Sequence, residues 1–113
     1  MKKLLFAAGA LFFVSFSYAQ TQPKLNEPLL REAFTQLKDS ASAKFRDLRY
    51  AARVQDMWDM CGSVNAKNSF GAYTGFEPFY GLAVMTDTKP KKLAYIVMAQ
   101  GDIAESMCRE KGL

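Results

Sequence analysis

Apolar positions along the chain change their period several times, and each change marks an element. Leu29, Leu30, Ala33, Phe34 and Leu37 recur as one helical stripe. Asn26 is placed to cap that helix, and Glu27 and Pro28 suit its first turn. Arg31, Glu32, Gln36 and Lys38 fall away from the stripe, and Asp39 and Ser40 are expected to end it. From Lys44 to Val54 the period is mixed. Phe45 and Leu48 are spaced as in a helix, whereas Phe45, Arg49 and Tyr50 suit a twisted strand. We read a strand there, with a helix as the alternative.

Alternation is cleaner further on. Trp58, Met60, Val64 and Ala66 share one parity and Asp59, Cys61, Ser63 and Asn65 the other, which predicts a strand with one buried face. Asn68, Ser69, Gly71 and Gly75 then carry turn chemistry, the glycines being free to take positive φ. Phe76 to Thr86 is extended again, with Pro78 expected to mark an edge or a bulge. After the turn TDTKPKK, the run Leu93 to Gln100 is the most β-prone in the chain. It is apolar on both parities, so a central strand is expected. Ile103, Ala104, Met107 and Cys108 form the face of a last helix, with Asp102 and Glu105 as a capping pair and Gly112 as its stop. The pattern predicts an α+β domain: an N-terminal helix, about four antiparallel strands and a C-terminal helix.

The first residues stand apart. Lys2 and Lys3 precede an uncharged apolar run from Leu4 to Val14, and Ser17, Tyr18 and Ala19 form a small-x-small site before Gln20. This is the order of a secretory signal peptide, expected over residues 1–19, with a single domain over 20–113. It implies a periplasmic or secreted protein with no stable membrane anchor after cleavage. Lys2 and Lys3 also account for two units of the formal net charge of +4, so no concentrated basic stripe for nucleic acid remains. Export changes the reading of the cysteines. Cys61 and Cys108 are the only two, and in an oxidising compartment they are expected to be bridged, which would pin the last helix to the second strand. Closing a loop of about 47 residues contributes on the order of 4 kcal/mol in the chain-entropy model.

Candidate chemistry concentrates in CGSVNAKNSFGAYTGFEPFYG, Cys61 to Gly81. The chain has no histidine, so neither a serine triad nor the usual zinc site can be assembled. No catalytic residue, metal or cofactor is expected. Gly71 and Gly75 lack the lysine-serine pair of a phosphate-binding loop. Asn65, Lys67, Asn68, Ser69, Tyr73 and Thr74 instead form a dense set of polar groups beside aromatics, a composition suited to recognition. Packing of Phe70, Phe76 and Phe79 into a core is the plainer alternative.

SAKFRDLRY followed by CGSVNAKNSFGAYTGFEPF resembles a pattern in small exported bacterial proteins of uncharacterised function. There a Ser-Ala-x-Phe-Arg strand precedes a Cys-Gly-x-Val-Asn-x-Lys-Asn hairpin with Gly-x-Tyr-x-Gly-Phe. The resemblance implies that Arg46 joins Asn65, Lys67, Asn68, Tyr73 and Gly75 in one feature; it implies no reaction. The expectation is a binding or inhibitor-type module that presents the hairpin to a protein or cell-envelope partner. The alternative is a small enzyme or ligand-binding accessory with a polar pocket around Arg46, Lys67 and Tyr73.

Overall fold

The computed structural model describes residues 21–113; the signal peptide expected over residues 1–19 lies outside them. The order of elements is α1 (Glu27–Ala33), β1 (Asp39–Val54), β2 (Met57–Lys67), β3 (Glu77–Met85), β4 (Leu93–Gln100) and α2 (Asp102–Glu110). The strands form one antiparallel meander in the order β1-β2-β3-β4. The α+β reading therefore holds, and one helix sits on each face of the sheet.

α1 starts as expected. Asn26 accepts from the Leu29 N–H at 3.1 Å, and proline occupies the first turn. The helix stops earlier than the apolar stripe. Phe34 caps it with φ −88 and ψ 74, and the chain turns into β1 at Asp39, the residue expected to end the helix. Leu37 still packs on the core from the turn. Leu30 and Phe34 are buried, and Phe34 meets Phe79 edge-on at 5.1 Å and Phe45 at 5.5 Å. Trp58, Met60, Val64, Ala83 and Tyr95 complete this core. Each such large side chain contributes about 1.5–3 kcal/mol by burial.

β1 resolves the ambiguous stretch as a strand, and it explains the helix-like spacing. Arg46 pairs with Ser63 and Arg49 with Cys61, so β1 spends one residue more than β2 there. Asp47, at φ 56, is the bulge. The extra residue resets the alternation and brings Phe45 and Leu48 to the same core.

β2 departs from the expected single buried face. Residues 58 to 62 are buried on both parities, because α2 covers the face opposite α1. Cys61 and Cys108 are bonded, with Cα atoms 6.1 Å apart, and with Tyr80 and Ala104 they form the second cluster. Gly62 is a packing residue: a Cβ there would lie 2.6 Å from Leu48 Cδ2 and 3.0 Å from the Phe79 ring.

Three further expectations are corrected. β4 is an edge strand, because the sheet is a simple meander and among the described residues no strand lies beyond the last one. Pro78 lies near the start of the central strand β3, ahead of the β4 pairing that begins at Phe79, so its missing N–H breaks no bond to β4. Gly101, at φ 76, is the N-cap of α2, and no side chain caps it, so Asp102 and Glu105 act only as acidic groups in the first turn. Gly112 takes the positive φ expected of a helix stop.

Candidate functional site

The segment joining β2 to β3 is held by its own side chains. Asn68 Oδ1 accepts from the N–H groups of Phe70 at 2.9 Å and Ala72 at 3.2 Å. The Asn68 N–H donates to the Ala72 carbonyl at 2.9 Å, and the Gly71 N–H to the Asn68 carbonyl at 3.1 Å. Gly71 and Gly75 both have positive φ, as their turn positions require. Asn65 Oδ1 accepts from the Gly75 N–H at 3.0 Å, fastening the returning chain to β2. An antiparallel bridge between Lys67 and Tyr73 closes the loop.

The loop is also tied to β1. Ser42 Oγ accepts from the Lys67 N–H at 2.9 Å, and the Tyr73 hydroxyl donates to the Ser42 carbonyl at 3.0 Å. Lys44 and Lys67 place their ammonium groups 4.6 and 5.6 Å from the centre of the Tyr73 ring. The Arg46 guanidinium lies 4.0 Å over Phe76 and 3.6 Å from the Asp47 carboxylate. Three cations thus stack on two rings in a row, each pair within the range where the ring quadrupole attracts a cation.

The expected residues divide into two groups. Asn65 and Asn68 spend their acceptors on the loop backbone, so they shape it. Lys67 and Tyr73 are in contact, whereas Arg46 lies on a different ring, that of Phe76. Ser69 lies exposed in the turn. Thr74 is exposed and, with Lys67, Asn68, Gly75 and Glu77, lines a cleft of about 200 Å³ whose other wall is Gln36, Leu37 and Lys38. Neither Arg46 nor Tyr73 is among the walls of that cleft.

Two residues were missed. Lys44 shares the parity of Arg46, and that was the signal available for it. Phe70, which the plainer alternative packs into a core with Phe79, is 94% exposed at the tip, whereas Phe79 is fully buried. Its place between Ser69 and Gly71 was the available signal, since a residue within a turn belongs to neither strand face.

Among the described residues no group of histidine, cysteine, aspartate and glutamate could hold a metal ion, and no helix is long and apolar enough to cross a membrane. Comparison of the chain with family models, curated proteins and solved structures finds no match.

Proposed function

We propose that the protein is a small exported binding module. It presents the hairpin from Asn65 to Phe76 to a protein or cell-envelope partner and acts by recognition rather than by chemistry. One observation carries this reading: an almost fully exposed phenylalanine at the tip of a loop whose backbone is held by Asn65, Asn68 and Tyr73. Leaving an aromatic ring in water forgoes its burial energy, and a pre-ordered loop loses little entropy on docking. Phe70 is then the apolar anchor. Lys44, Arg46 and Lys67, on the strands behind it, suit an anionic surface around the slot that receives the ring.

The test is a photo-crosslinking amino acid at position 70 in the producing cell, with the same group at exposed Glu32 as control. Position 70 is expected to yield a discrete adduct that position 32 does not, and Lys44→Ala with Lys67→Ala is expected to diminish it. Truncating the anchor as Phe70→Ala is expected to weaken binding of the captured partner by about 2 kcal/mol or more, a factor of about thirty, with the melting temperature unchanged. Equal adducts at both positions, or a partner indifferent to Phe70→Ala, would show the hairpin to be structural.

A further inference from the structure

The two edges of the sheet are built in opposite ways. β1 carries Lys44, Arg46, Asp47, Arg49 and Arg53, and its pairing with β2 is broken by three register shifts. Charges and bulges of this kind stop a strand edge from pairing with another chain. β4 is guarded far less. From Leu93 to Gln100 it contains no charged residue and no proline, and its one irregularity is the extra residue at Met98. Among the described residues only β3 pairs with it. Among the described residues six large hydrophobic side chains are exposed. Phe70 and Tyr73 belong to the hairpin and Val54 closes β1, but Ile96, Met98 and Ile103 all fall on β4 or the first turn of α2. Next to the far end of β4, a cleft of about 280 Å³ separates Val97–Gln100 from Ala33–Gln36, so that end of the strand is not sealed by the chain turning out of α1.

Charge selects the occupant of this edge. Lys89, Lys91 and Lys92 immediately precede β4, and Asp102 and Glu105 immediately follow it. Lys91 is engaged with Asp56 at 2.7 Å, while Lys89, Lys92, Asp102 and Glu105 are exposed. A strand that is basic at its start, neutral along its length and acidic past its end is complementary to an antiparallel copy of itself. We propose that the protein self-associates through β4. Two copies pair antiparallel about the middle of the strand and continue the sheet from one molecule into the other. Lys89 and Lys92 of each copy then come beside Asp102 and Glu105 of the other, and the two Ile96 side chains meet at the centre. A parallel arrangement would set like charges side by side, which disfavours it. The proposal is independent of the hairpin, which lies on the β2–β3 connection.

Sedimentation equilibrium of the purified protein over a concentration series tests this, together with amide hydrogen exchange of β4 at low and high concentration. The expected result is a monomer–dimer equilibrium, with β4 amides gaining protection as the dimer forms. Ile96→Lys changes an exposed side chain and is expected to weaken the dimer about tenfold or more with the fold intact. Lys89→Glu with Lys92→Glu is expected to weaken it as well, and adding Asp102→Lys and Glu105→Lys in the same chain to restore it. A monomer at every concentration would overturn the proposal, as would an assembly indifferent to Ile96→Lys. Protection of β4 that appears only with a different protein would assign the edge to that protein, and failure of the fourfold variant to recover would rule out the antiparallel arrangement.

Discussion

The two faces of the sheet are held by different means. Against α1 the packing is wide and mainly apolar: Leu30, Phe34, Phe45, Trp58, Met60, Val64 and Phe79 interlock, with the three phenylalanine rings 5.1 to 6.0 Å apart. Against α2 the buried residues are few and mostly small, namely Cys61, Tyr80, Ala104 and Cys108. That face is secured by point links instead. The disulfide joins α2 to β2, and the Tyr80 hydroxyl donates at 2.6 Å to the buried Asp59 carboxylate, which Arg53 approaches to 3.6 Å. The contrast follows from size. A domain this short cannot bury enough apolar area to saturate both faces, so the second relies on a covalent bond and a charge-assisted hydrogen bond.

The largest effect is expected on the apolar face. Phe79→Ala removes the ring at the centre of the core and should cost about 3–5 kcal/mol, read by urea denaturation. A cost near that of a surface truncation would mean that the face relaxes to fill the cavity. Replacing Cys61 and Cys108 together by alanine should cost about 2–5 kcal/mol. Hydrogen exchange sharpens this one: α2 amides should lose protection ahead of β2 and β3. Loss of protection in all elements at once would show that the faces form one cooperative unit.

Two tyrosines probe the contrast more finely. Tyr80→Phe strips the buried Asp59 carboxylate of its closest donor and should cost about 1.5–3 kcal/mol. Tyr50 lies on the α1 face, and its buried hydroxyl has no hydrogen-bond partner. Tyr50→Phe should therefore change stability by no more than about 0.5 kcal/mol, or raise it, because no bond is lost. Both phenols hold their protons more tightly than the ordinary value of 10.0. Burial is the main cause for each, reinforced at Tyr50 by the neighbouring Tyr95 phenol, whose hydroxyl does not reach hydrogen-bonding geometry, and at Tyr80 by the Asp59 carboxylate. A pKa raised by folding contributes stability that is fully present below the unfolded value and lost as pH rises through the folded one. Stability should fall as the pH passes about 10, where the unfolded chain begins to release these protons. Either Tyr→Phe variant should flatten that alkaline fall, and a fall of the same steepness in both would assign it to other groups.

Much of the fold was legible because its signals are local. Asn26 and Pro28 announce a helix start, Gly71, Gly75 and Gly112 announce positive φ, and two cysteines alone in the chain can bond only to each other within it. What misled was also local. Phe45 and Leu48 mimic a helical step because a bulge at Asp47 inserts one residue into a strand. Asp102 and Glu105 imitate a capping pair although the chain enters α2 through Gly101. The run from Leu93 to Gln100 resembles a central strand because it is apolar on both parities, yet it lies at the edge. Its sequence records what its side chains prefer, and not whether another strand stands beside it.

The hairpin divides in the same way. Its residue types singled it out within the sequence, because glycine, asparagine and tyrosine at those spacings favour a turn with few other uses. Which side chains support the loop and which face outward was decided by tertiary contacts. Asn65 bonds to Gly75 across the loop, and Tyr73 reaches back to Ser42, far along the chain. Local preference is a property of neighbouring residues and can be read in order. Exposure is a property of what folds over a side chain, so that Phe79 became the centre of a core and Phe70, nine positions earlier, the tip of a loop in water.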